Sequence, residues 1–205
     1  MTRRQQTAAE LMAELAQDPA FVANKKRREE EEQRRLAMLK EEEKPLIADL
    51  NAVGVVVETV WDLVNTSASY HPAIPALTHH LSMPYSLRIK EGIARALTVP
   101  YGGSAALDAA IEEFERQNAD SEVSLKWTLG NAIAVLATPP DADRLISLVM
   151  NRSNGKARDM IILALPRLVE DKVRLKDILR ELKQDKEVSA FAKRAEASAR
   201  GNLRH

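Results

Sequence analysis

The stretch Ala73–Pro100, AIPALTHHLSMPYSLRIKEGIARALTVP, decides the fold. Its apolar residues recur three and four apart in two runs, Ala73 to Leu81 and Ser86 to Val99, with Pro84 between them. That spacing lines one face of a helix, and a proline between two such runs separates them. The stretch therefore predicts a helical hairpin. One hairpin has too little apolar surface to be stable alone, so it needs others stacked on it.

The chain supplies them. Ser104 to Gln117 and Ser121 to Ala137 form a second pair, Asp141 to Met150 and Lys156 to Val169 a third, Val173 to Lys183 and Glu187 to Ala199 a fourth. Breakers sit at the junctions: Asn118 to Asp120, Asn154-Gly155 and Lys183 to Lys186 within pairs, Gly102-Gly103 and Pro139-Pro140 between them. The second segments also resemble one another. LRIKEGIARAL from Leu87 and LKWTLGNAIAV from Leu125 each place a basic residue after the leucine, then Gly92 or Gly130, then Ala94 or Ala132. Arg158 and Ala164 hold the matching places in the third pair, with Ile162 where the glycine would be. Arg88 and Lys126 are 38 residues apart and Lys126 and Arg158 are 32 apart, a period that signals a helical repeat array. Glycine inside a helix costs about 1 kcal/mol relative to alanine, so Gly92 and Gly130 are expected to mark close helix contacts.

These residues resemble the HEAT-repeat family. The likeness rests on Pro75 in a first helix, Leu77 and Leu81 after it, Arg88 early in the second helix, and the small-apolar ending GIARALTV. Pro45 with Leu46 and Leu50, followed by VWDLV, is similar to a degenerate preceding repeat, whereas Pro166, late in a second helix, departs from the pattern. The resemblance covers about residues 45–200 and implies an all-α fold, a right-handed α-solenoid of HEAT-like helical hairpins. With its charged leading helix and VWDLVNTSASYHPAIPALTHHL, the chain is similar to bacterial HEAT-repeat proteins of unassigned role. Family members serve mostly as protein-binding scaffolds; a few bind nucleic acid or catalyse.

Residues 1–44 differ in kind, and we read them as an N-terminal charged helical extension before the repeat domain at 45–200 and a tail at 201–205. Ala8, Leu11, Met12 and Leu15 make a short apolar stripe, and Asp18-Pro19 reads as a helix cap followed by proline at the first helical position. From Asn24 to Arg35, NKKRREEEEQRR has no apolar residue, so this part faces water on all sides. Glu30 with Arg34 and Glu31 with Arg35 have the favoured order for helix ion pairs. Apolar periodicity returns at Leu46 and Leu50. Gly54 is expected to turn the chain into a second helix through VVVETV, because no second strand candidate exists for a strand to pair with.

Composition narrows the function. Helix-forming residues abound and aromatics are only 4% of the 205 residues. There is no cysteine, which removes thiol chemistry and disulfides and fits a reducing, cytoplasmic setting. No stretch approaches the roughly 20 apolar residues of a membrane span, and no secretory signal is read at the start. Net charge is zero but uneven: Lys+Arg and Asp+Glu count ten and ten in residues 1–44, six and twelve in 45–150, fourteen and eight in 151–205.

No catalytic residue, metal set or cofactor motif emerges. His79 and His80 diverge by about 100 degrees on a helix and read as polar surface residues. Glu58 and Asp62, four apart, read as a solvated pair or as helix-end electrostatics; EEFE at 112–115 reads as an exposed face. PYGGS lacks the lysine and spacing of a phosphate loop. Trp61 and Trp127 read as core. The candidate surface is the face lined by second helices: Tyr85, Arg88, Lys90, Arg95, Lys126 and Arg158, with Arg88, Lys126 and Arg158 as a basic ladder. It suits an acidic protein segment or phosphates; alternatively each cation pairs with a carboxylate of a neighbouring hairpin. The expected function is a non-enzymatic scaffold for a protein partner, of a kind suited to immunity or inhibitor roles. The alternatives are a nucleic-acid-binding HEAT-like protein and a HEAT-type bilin lyase.

Overall fold

A computed structural model describes residue 7 and residues 15–118 and 123–201, and among these the fold is entirely helical, with no strand. The stripe on residues 8–14, the first residues of the predicted run at 121 and the tail at 202–205 lie outside the described residues. The chain divides into two compact units, Met1–Glu42 and Glu43–His205.

Helix α1, Pro19–Ala52, begins as its cap predicts: Asp18 Oδ1 accepts from the Ala20 N–H at 2.8 Å and Pro19 takes the first position. In the first unit the charged run is exposed throughout. Its ion pairs differ from the expected ones. Lys25, Lys26 and Arg27 reach Glu29, Glu30 and Glu31 at 3.9 Å, and Arg35 turns back to Glu32 at 3.0 Å rather than to Glu31. A two-pronged bond to one carboxylate outweighs a single exposed contact four residues away.

In the second unit, α1 buries Leu46 and Leu50, and Gly54 at φ +83° turns the chain where expected. The helix predicted directly after it is not formed. Residues 55–59 are irregular, and α2 is only Trp61–Val64. A run of β-branched valines gains little from helix without a face to bury, and Val55 to Val57 are at most half-buried. The segment is anchored at its end, where the buried Glu43 carboxylate accepts the Val60 N–H at 2.6 Å.

Then come α3 (Ile74–Leu81) and α4 (Leu87–Ala96), α5 (Gly103–Arg116) and α6 (Val123–Leu136), α7 (Ala142–Met150) and α8 (Asp159–Leu168), and α9 (Lys172–Leu182) and α10 (Ser189–Gly201). Each pair packs on itself as a hairpin. The second helices also contact one another in chain order: α4 on α6, α6 on α8, α8 on α10, with α2 on α4 before them. Their shared core is aliphatic, built from residues such as Ile89, Ile93, Leu129, Ile133, Ile161 and Leu165.

Both flagged glycines sit at close contacts. A Cβ on Gly92 would lie 2.5 Å from Val60 Cγ1 and 3.1 Å from Trp61 Nε1; one on Gly130 would lie 2.5 Å from the Ala157 carbonyl oxygen. Gly92 thus meets the element before its hairpin and Gly130 the element after. Ahead of α8, residues Arg152–Arg158 form a tight helical stretch kinked at Gly155, whose φ of 56° suits glycine. Arg167, beside the late Pro166, donates to the carbonyls of Ala134 and Ala137, closing the open end of α6.

Candidate interaction surface

The six candidate residues separate into three groups. Arg158 is fully buried. Its Nε donates to the Gly155 carbonyl at 2.7 Å, Nη1 to that of Val149 at 3.1 Å, and Nη2 to Asp185 Oδ2 at 2.8 Å, with Glu187 Oε2 at 3.5 Å. Lys126 is buried as well, donating to the Gln117 carbonyl at 2.8 Å with its ammonium 4.8 Å from the Phe114 ring centre. Burial lowers its pKa, with the Glu115 carboxylate pulling the other way. Lys90 reaches across to Glu113 at 2.5 Å. These three are internal ties, so the expected ladder of Arg88, Lys126 and Arg158 does not stand on one surface.

The reason is what each place meets. Arg88 is the second residue of α4, Lys126 the fourth of α6, and Arg158 precedes α8 at the end of the kinked stretch. Gly92, four residues after Arg88, meets Val60 and Trp61, whereas Gly130, four after Lys126, meets the Ala157 carbonyl, so equal places in the sequence repeat have different neighbours.

Tyr85 belongs to a second arrangement. Its hydroxyl lies 2.7 Å from His80 Nδ1, and His80 Nε2 lies 2.9 Å from Asp49 Oδ2. His80 is buried, contrary to its reading as a surface residue, because these two partners satisfy both ring nitrogens. The group ties α1, α3 and the turn before α4. His79 remains exposed.

Arg88 and Arg95 form the third group, and they are the outward ones. Arg88 is exposed and its guanidinium lies 3.7 Å over the Trp61 ring; that of Arg95 is 6.0 Å from the same ring. Arg95 is held by two bonds to Glu91 Oε1, at 3.1 and 2.8 Å. Arg88, Gly92 and Arg95 share a face of α4, and the bare Gly92 lets the indole lie against the helix. Trp61 is therefore half-buried rather than core, and Trp127 on α6 is exposed at 37%. Leu87, next to Arg88 in the chain, and Met83, in the turn before α4, are exposed at 47% and 37%.

Other readings resolve simply. Asp62 Oδ2 accepts the N–H groups of Glu58 and Thr59 at 2.9 and 3.0 Å, so it closes the start of α2 as a helix-end carboxylate. Within EEFE, Glu113 is buried, not exposed, and accepts from Lys90, Gln117 and Arg116. Three residues escaped the sequence reading. Asp185 is held below the usual carboxylate range: burial pushes it up, but the Arg158 hydrogen bond, the Glu187 backbone and the Arg158 and Arg152 charges outweigh that. Asp159 is buried with Oδ1 unpartnered, and burial pushes its carboxyl up to about 6 against the pull of Arg158 and Lys156. Tyr70 is pushed up to about 12 by burial, with Tyr101 beside it, and donates to the Ala96 carbonyl at 2.9 Å. An acidic residue after an Arg-containing kink was the only available signal for Asp159. For Asp185 the lone clue was its place in the polar gap Lys183 to Lys186.

Among the described residues, no group of three or more His, Cys, Asp or Glu is placed to hold a metal ion, and no helix is long and apolar enough to cross a membrane. Compared with family models, with curated proteins and with solved structures, the chain matches none of them.

Proposed function

We propose that the chain is a non-enzymatic scaffold for a protein partner, its hairpins stacked as a right-handed α-solenoid of HEAT type. Consecutive contacts among α4, α6, α8 and α10 support that arrangement. A stack of this kind holds side chains on its second helices in fixed relation, so binding costs little ordering of the receptor.

One observation carries the binding reading: Arg88 is exposed, its guanidinium lies 3.7 Å over the Trp61 ring, and no ion pair with a described carboxylate occupies it. Among the basic residues around α8 and α9, Arg158 and Lys183 are tied to Asp185 and Glu196 and Arg174 pairs at the surface with Asp143, which interrupts the row of cations there. That favours a protein partner over a nucleic acid, which needs a continuous row of unpaired cations.

The test is binding by the whole purified chain. Immobilised wild type should retain a specific protein from its native cell extract, and the double variant Arg88→Glu/Arg95→Glu should lose it while melting at a similar temperature. Retention of nucleic acid instead, released by salt in proportion to its concentration, would replace the protein reading.

A further inference from the structure

We infer that the edge of Arg88, presented by Trp61 on α4, is a receptor for a carboxylate side chain of an acidic protein segment with apolar neighbours. The inference rests on the scaffold reading and names the chemistry of its partner.

A guanidinium has two faces and one edge. The indole of Trp61, 3.7 Å away, occupies one face, which fixes the plane and partly desolvates it. The N–H donors of a guanidinium lie in its own plane and leave by its edge, in the fork that a carboxylate accepts with both oxygens. Stacking thus settles beforehand the orientation that a flexible arginine would otherwise have to adopt on binding.

The surroundings select among anions. Arg95, which would add a second cation, is already bonded twice by Glu91, so of the two guanidiniums near the Trp61 ring only that of Arg88 is not held by a carboxylate among the described residues. That suits one carboxylate better than a train of phosphates, whose affinity comes from several cations acting together. Leu87 is exposed next to Arg88, and Met83 is exposed in the turn just before α4. An apolar residue beside the partner's Asp or Glu would cover them and shield the new ion pair from water, which strengthens it.

The seat itself is built. Gly92 leaves the room that Trp61 needs, since any Cβ there would meet Val60 Cγ1 at 2.5 Å, and Asp62 and Thr59 fix the start of α2 that carries the indole.

The experiment uses the full chain and three probes: a soluble peptide alternating Glu and Leu, its Lys and Leu counterpart, and a short thymidine oligonucleotide. The signals are the Trp61 indole N–H and the Arg88 Nε–H in proton–nitrogen spectra. The acidic peptide should shift both saturably and the basic peptide neither. Arg88→Lys, which keeps the charge but loses the fork and the stack, should weaken that binding at least about tenfold, the loss of one charge-assisted hydrogen bond. Absence of saturable shifts, equal binding by Arg88→Lys, or tighter binding of the oligonucleotide overturns the inference. A protein partner whose affinity Arg88→Lys leaves unchanged also overturns it, and leaves the scaffold reading standing.

Discussion

Arg88 and Arg158 hold matching places in the sequence repeat and have opposite fates. Arg88 opens α4, lies over an indole and faces water; Arg158 precedes α8, is fully buried, and spends its guanidinium on two carbonyls and Asp185. A repeat in sequence conserves the backbone pairing of helices and not the surroundings of each side chain. The third ladder residue, Lys126, is a further case: it closes its own hairpin through the Gln117 carbonyl.

The sharpest way to break this contrast is to remove each arginine in turn. Arg158→Ala leaves Asp185 and two carbonyls without the buried guanidinium that donates to them and should cost about 3–5 kcal/mol in urea unfolding. A loss under about 1 kcal/mol would mean that water replaces the guanidinium, and the tie between α8 and the last hairpin would be cosmetic. Gly130→Ala comes next. It gains helix propensity of about 1 kcal/mol yet forces a Cβ onto the Ala157 carbonyl, which is backbone and yields poorly, so a net loss of about 2 kcal/mol is expected in the same measurement.

Asp159 sharpens the comparison through pH. Its folded carboxyl titrates near 6, above the ordinary value, so the native state favours the protonated form. The stability from this preference is full in acid and is lost as pH rises through about 6. Asp159→Asn should accordingly stabilise the chain by about 1–2 kcal/mol at pH 8 and by almost nothing at pH 4, read from melting temperatures across that range. Asp185 moves the other way: its lowered carboxyl adds stability at neutral pH that fades only in strong acid. The smallest effect is expected at the exposed site. Arg88→Ala should change stability by less than about 1 kcal/mol, a stack on Trp61 being its main loss, so any larger drop would show that Arg88 supports the fold.

Much of the architecture was legible because breakers and apolar spacing act locally. Pro84, Pro139-Pro140 and Asn154-Gly155 fall between observed α-helices, the last two pairs within short tighter helical turns, and Asp18-Pro19 starts α1 as read. What failed depended on partners remote in sequence. Glu113 looked solvated until Lys90, on the preceding hairpin, was seen beside it, and His80 until Asp49 on α1 was placed against it. The valine run after Gly54 failed for a different reason: its helical spacing had no surface to bury on. Of the candidate surface, Arg88 and Arg95 face outward, but Trp61, over which Arg88 lies, read as core because a half-covered indole has the same sequence signature as a buried one.

The Arg158–Asp185 tie reaches from the residue before α8 to the turn between α9 and α10. Cutting the chain after Val169 would thus strip away the two carboxylates paired with that guanidinium and uncover the side of α8 on which α10 rests. A truncated product would leave that cation with two carbonyls and Asp159 alone, so a protease nicking that connection would weaken the hairpin upstream of it as well as the one it released.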